Sequence, residues 1–379
     1  MDGDEAGDLY RRGRAHICAV CNRTETETIA KLTPSSSGSS SSGSTTTKTE
    51  TTTNPDGSTT KTETKSDGTT VETTTGKDGS TTKTETKKDG SSVTESKDAS
   101  GSTGTVKTDK DGKTEAETKL SSKAVEDAKK NDEAVKAPVE VEAGKDSASA
   151  PTVKIDLPGD AGETKVEIPV SNVSSGTVAV IVHPDGTEEI VKTSVPTENG
   201  VILNVEGGAT VKIIDNSKDF IDTRNHWSRE EVNFVASREL FNGIGNNLFG
   251  VSGDMTRGMV NTVLARLAGE DTNGGANWYD KGTEWAKKNG ITDGTNPTAN
   301  VTREQLATML YRFAGSPKVS GELSFADADQ ISGYAKDALL WAVQNGILNG
   351  IGNNLVAPGA SAERAQVAAM MARYLKNVG

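Results

Sequence analysis

The chain has 379 residues, with 54 acidic against 42 basic side chains and a formal net charge of −12. An acidic chain without a basic stripe is a poor nucleic-acid binder, and its longest aliphatic runs, about five residues as at Val178–Val182, are too short to span a bilayer. Every aromatic side chain except Tyr10 lies between Phe220 and Tyr374, which excludes an ordinary enzyme core spread over the whole chain.

Residues 1–34 are a short polar lead. His16, Cys18 and Cys21 cluster there, but a structural zinc site takes four ligands and no second pair follows, so neither a metal nor a cofactor is expected. No apolar leader precedes His16. The chain therefore reads as the C-terminal piece of a longer surface protein or as a mis-started reading frame.

Residues 35–120 are a Ser/Thr-rich, low-complexity stalk opening on a Ser/Gly tract, Ser35–Ser44. Gly57, Gly68, Gly79, Gly90, Gly101 and Gly112 recur every 11 residues, five of them behind an aspartate. Asp-Gly is the signal of a two-residue type I′ hairpin turn, and the threonines between turns favour strands. Two readings stay open: a single-layer β-meander, or a disordered spacer with almost nothing apolar to bury.

Residues 121–219 read as a short helix, Ser121–Val135, followed by a small β-rich spacer domain. Strands are expected at Val153–Leu157, Lys165–Val170, Thr177–Val182, Glu189–Thr193, Val201–Val205 and Thr210–Ile214. His183, beside a turn, reads as a surface residue.

Residues 220–379 form three repeats, about 220–269, 270–318 and 319–379. Gly243, Gly294 and Gly350 anchor them. Trp227, Trp278 and Tyr334 stand 16 residues before the anchors, and Phe234, Trp285 and Trp341 stand nine before. Arg257, Arg303 and Arg364 follow, each at the start of a second helix, and Arg266, Arg312 and Arg373 lie nine residues further on. Each unit reads as helix, loop, helix. Thr302 with Gln305 matches a capping box, whereas Thr256 has Met259 in the reciprocal position. Phe234, Trp285 and Trp341 read as core, the later arginines as inter-helix salt bridges, and Asp222 and Asp327 as caps.

Phe220-x-Asp222 and Phe325-x-Asp327, the Asn/Asp-Gly turns and Thr302-Arg303-Glu304 resemble the S-layer homology family. The middle unit departs from the pattern in lacking Phe-x-Asp, and the third in having Glu363 where Thr is usual. The resemblance implies a C-terminal all-α trimer, a three-pronged helical spindle behind the β-rich domain and the stalk. It also implies grooves that bind a secondary cell-wall polysaccharide, commonly through a pyruvylated sugar. The residues suit a carboxylate: Arg257, Arg303 and Arg364 at helix N-termini, with Thr256 and Thr302 as caps. Trp227, Trp278 and Tyr334 offer platforms for sugar, and Gly243, Gly294 and Gly350 would let a ligand approach the backbone.

The expected function is non-enzymatic, non-covalent anchoring at the cell surface, with no nucleic-acid partner, no membrane span and self-association in a surface layer open. The alternatives are a lattice-assembly module, or the anchoring C-terminal fragment of a larger surface enzyme or adhesin.

Overall fold

A computed structural model describes residues 44–379. The His16, Cys18 and Cys21 cluster and nearly all of the Ser/Gly tract lie outside the described residues.

The Thr-rich tract folds as a seven-stranded antiparallel meander: β1 (Thr46–Thr53), β2 (Thr59–Lys65), β3 (Thr70–Thr75), β4 (Thr81–Thr86), β5 (Ser92–Lys97), β6 (Thr103–Thr108) and β7 (Thr114–Lys119). Its turns are not the expected type I′ pairs, which need positive φ at two positions. Only the glycine is left-handed, as Gly57 (φ 79°) and Gly79 (φ 85°) show, and Gly57 N–H donates to Asn54 O. That is a three-residue loop, a type I turn closed by a glycine bulge. Asp56, Asp67, Asp78 and Asp89 each accept a backbone N–H two residues on, from Ser58, Thr69, Ser80 and Ser91. Because 11 is odd, one repeat step carries a residue to the opposite face of the sheet and two steps return it. The repeating structural unit is therefore a 22-residue hairpin, and it aligns Thr60 with Thr74 and Thr74 with Thr82 on one face.

Helix α1 (Ser122–Asn131) follows, with the Ser121 hydroxyl accepting the N–H of Ala124. The remaining strands are β8 (Val135–Lys136), β9 (Val141–Glu142), β10 (Thr152–Asp156), β11 (Thr164–Ser171), β12 (Thr177–Val182), β13 (Glu188–Ile190), β14 (Val195–Pro196), β15 (Gly200–Val205) and β16 (Ala209–Asp215). β10 pairs parallel with β7, so the meander and the spacer share one 11-stranded sheet in the order β1 to β7, β10, β16, β12, β13. A second sheet, β14-β15-β11-β8 with β9 also on β11, covers part of it. Val153, Ile155, Val166, Ile168, Val211 and Ile213 are fully buried between the sheets. This aliphatic core supplies the burial that the polar meander lacks.

The helical part holds α2 (Arg229–Ser237), α3 (Arg257–Leu267), α4 (Asp280–Lys288), α5 (Arg303–Phe313), α6 (Lys336–Gln344) and α7 (Arg364–Asn377). The main pairings run between repeats rather than within them: α3 with α4, α5 with α6, and α7 back to α2. The segments entering the second helices close a ring. Met255 N–H donates to Ala362 O, Ala362 N–H to Val301 O, and Val301 N–H to Met255 O, all within 2.8–3.0 Å. All three residues are buried.

The expected fold class, an all-α trimer behind a small β domain and a stalk, is overturned. Sixteen strands stand against seven α-helices among the described residues, and 11 strands form one sheet. The cause is local. Threonine-rich runs joined by bulged Asp-Gly turns pair along the whole meander, and β7 continues into the spacer's sheet instead of ending in a free stalk. Among the helices, short β-bridges such as Thr256 with Asn300 and Thr302 with Ser361 tie one repeat to the next.

Arg238 joins the sheets to the helices. It follows α2, where the other repeats have Asn289 and Asn345, and it is fully buried. All three side chains donate to the carbonyl four residues back, at Phe234, Trp285 and Trp341. Arg238 goes on to donate to Thr177 O, Ser194 O and Ser175 O. Burial pushes its pKa down to about 9, so it remains a cation at neutral pH.

Candidate functional site

Arg257, Arg303 and Arg364 each open a second helix, but their surroundings differ. Arg303 donates through Nε to Val356 O (2.9 Å) and through Nη2 to Asn349 O (2.8 Å). Arg364 does the same to Phe249 O (3.0 Å) and Asn242 O (3.0 Å). Both are therefore struts to the loop after the first helix of another repeat. Burial lowers the pKa of both guanidiniums.

Arg257 has no such carbonyls. Its Nη2 meets Thr292 Oγ1 (3.2 Å) and Asp293 Oδ1 (2.5 Å), and its buried Nε has no partner. It lines a cleft of about 360 Å³ with Thr292, Asp293, Gln305, Thr308, Arg312 and Tyr334. Gln305, Thr308 and Arg312 lie on one face of α5, at spacings of three and four residues. That spacing was the signal for Arg312, which the sequence reading assigned to an inter-helix salt bridge. Arg312 Nη1 donates to Ile291 O, and Arg266 Nε to Thr272 Oγ1.

The helix N-termini themselves are occupied. The N–H groups of Arg257, Arg303 and Arg364 donate to Ala299 O, Ala360 O and Gly253 O, and those of the next residues to Pro297 O, Pro358 O and Val251 O. The Thr256 and Thr302 hydroxyls accept Met259 N–H and Gln305 N–H. Gln305 also completes the capping box, accepting Thr302 N–H at 3.2 Å. An anion here meets side chains, not free helix-end N–H groups.

Trp227, Trp278 and Tyr334 are more than half exposed, at 58%, 55% and 54%. Trp227 packs on His226 and Trp278 edge-on to Tyr279, while only Tyr334 lines the Arg257 cleft. Tyr334 Oη donates to Glu304 Oε1 (3.1 Å), and burial together with that carboxylate raises its pKa. Gly243 and Gly350 serve internal packing: a Cβ there would meet the Phe220 or Phe325 ring and the Leu248 or Leu355 carbonyl. Gly294 is glycine for its positive φ of 76°. Asp222 and Asp327 clamp loops rather than helix ends. Asp222 accepts N–H groups from Phe249, Gly250 and Val251, and Asp327 from Val356 and Ala357.

The two Phe-x-Asp clamps recur in corresponding loops, and that is where a known family matches: residues 219–258 and 324–368 fit the S-layer homology domain. These segments are S-layer homology repeats. S-layer homology domains bind cell-wall polymers and attach their chains at the cell surface. The middle repeat, which lacks Phe-x-Asp, lies between the matched segments. The amylopullulanase of Thermoanaerobacterium thermosulfurigenes is 27% identical over 255 residues, 60% of this chain and 14% of its own length. Exoglucanase XynX of Acetivibrio thermocellus is 29% identical over 177 residues, 42% of this chain and 16% of its own. The match thus spans less than a fifth of either relative. An undecaheme cytochrome from the S-layer of Carboxydothermus ferrireducens aligns over 33% of this chain and 18% of its own at 24% identity, with a TM-score of 0.25, too low to bear on the fold. Among the described residues no helix is long and apolar enough to cross a membrane.

Proposed function

We propose that the S-layer homology repeats hold this chain non-covalently on a carboxylate-bearing cell-wall polysaccharide, such as a pyruvylated secondary polymer, and that the chain has no catalytic role of its own. The observation that carries this reading is Arg257 itself, whose buried Nε has no partner and whose side chain lines a cleft together with Arg312 and Tyr334. A ligand carboxylate entering there displaces Asp293 from Arg257 and takes up two guanidinium donors in parallel. Tyr334 and the α5 face then border the sugar. Arg303 and Arg364 already spend their donors on backbone carbonyls, so the reading assigns the anion to the Arg257 cleft and a supporting role to the other two.

Purified cell walls tested for binding before and after chemical removal of pyruvate ketals check this. Binding should fall on depyruvylation and in Arg257→Ala, with the variant still folded. Undiminished binding to depyruvylated walls sinks the carboxylate mechanism. Both relatives are named as enzymes and align with this chain over less than a fifth of their own length, which supports an anchor combined with different cargoes.

A further inference from the structure

Asn242, Asp293 and Asn349 occupy the same place in the three repeats, one residue before the anchor glycine. We propose that Asn242–Gly243 and Asn349–Gly350 are sites of spontaneous deamidation, and that the reaction brings these two loops to the carboxylate-bearing state that Asp293 already gives the middle repeat.

In an Asn-Gly pair the glycine nitrogen, unhindered by a Cβ on its own residue, attacks the preceding side-chain amide carbon. The nitrogen–Cγ bond forms, the amide C–N bond breaks, and ammonia leaves with the proton given up by the backbone nitrogen. Water then opens the succinimide at either carbonyl, giving aspartate or isoaspartate. One water is consumed and one ammonia released, and nothing is oxidised or reduced.

The fold leaves both reacting groups free at these two pairs. Among the described residues the side-chain amides of Asn242 and Asn349 make no hydrogen bond, the N–H groups of Gly243 and Gly350 donate none, and all four residues are exposed. Asn242 and Gly243 also line an open cleft of about 610 Å³, which gives water access. Two of the other Asn-Gly pairs, Asn289–Gly290 and Asn345–Gly346, are held. At Asn289–Gly290 the amide donates to Trp285 O (2.9 Å) and the glycine N–H to Lys287 O (3.1 Å). At Asn345–Gly346 the acceptors are Trp341 O (2.8 Å) and Val343 O (3.0 Å). Both bonds must break before the ring closes.

The consequence falls on the arginine struts. Arg364 and Arg303 rest on the backbone carbonyls of Asn242 and Asn349. A carboxylate at either position stands where Asp293 stands beside Arg257, and an isoaspartate adds a methylene to the main chain that shifts the carbonyl the arginine uses. The reaction is read by mass and does not depend on wall binding, so failure here and failure of the anchoring reading are distinguishable.

The test is to incubate the intact folded chain in mildly alkaline buffer and follow the peptides holding Asn242, Asn349, Asn289 and Asn345 by mass spectrometry, with isoaspartate measured by enzymatic methyl labelling. Asn242 and Asn349 should gain the deamidation mass shift at least about tenfold faster than Asn289 and Asn345, the factor that about 1.4 kcal/mol of hydrogen bonding supplies. In urea the four rates should converge. Equal rates in the folded chain, or faster reaction at Asn289 or Asn345, overturn the proposal.

Discussion

Arg303 Nη2 donates to the backbone carbonyl of Asn349 at 2.8 Å, whereas Arg257, at the same point of the preceding repeat, reaches Asp293 and leaves a buried Nε unpartnered. One arginine supports the structure; the other is the one proposed to take a ligand. Truncation should therefore separate them. Arg303→Ala orphans the Val356 and Asn349 carbonyls and should lower stability by about 2–3 kcal/mol, while Arg257→Ala should cost under about 1 kcal/mol. Urea denaturation of the two variants checks the difference.

Arg238 predicts how the sheets and the helices are coupled. Arg238→Asn restores the residue type of the other repeats, keeping a donor for Phe234 O but losing those to Thr177, Ser194 and Ser175. It should cost about 3 kcal/mol and split unfolding into two transitions, because buried carbonyls of the sheet lose their donors. Calorimetry and near-UV circular dichroism read both effects.

Acid should weaken the helical part. Burial pushes the carboxyls of Asp222 and Asp327 up, but the loop N–H groups they accept more than offset it, and both end below the ordinary 3.8. A carboxyl depressed on folding contributes stability above its unfolded pKa and loses it as pH falls through the folded one. Stability should hold down to about pH 4 and drop below it. In the Asp222→Asn, Asp327→Asn double variant the baseline should be lower and the acid dependence shallower, as followed by urea midpoints across pH.

Glu239 sits at φ 58°, where the equivalent residues are Gly290 and Gly346. A left-handed non-glycine residue costs about 1–2 kcal/mol, of which glycine's greater chain entropy returns part. Glu239→Gly should therefore raise stability by about 0.5–1 kcal/mol, measured as a shift of the urea midpoint without a change in slope.

Much of the local structure was legible. The Asp-Gly spacing marked where the meander turns, and Ser121 and Thr302 marked helix starts. These signals act within a few residues, through side-chain caps and positive φ. The meander's turn type was misread because a type I turn with a bulge and a type I′ turn share the Asp-Gly signature. The continuation of β7 into the spacer's sheet was invisible, since β10, its parallel partner, lies more than thirty residues on.

The sequence by itself determined three phase-locked repeats, the threonines that cap two of the second helices, and the arginine at each second-helix start. Only the tertiary structure decided what each arginine does. Arg303 and Arg364 find carbonyls 46 and 122 residues away, and Arg257 finds a carboxylate 36 residues away. The physical reason is that a backbone carbonyl is present at every residue and carries no mark in the sequence, so which one lies within 3 Å of a guanidinium is set by the cyclic packing of α2 against α7, α3 against α4 and α5 against α6.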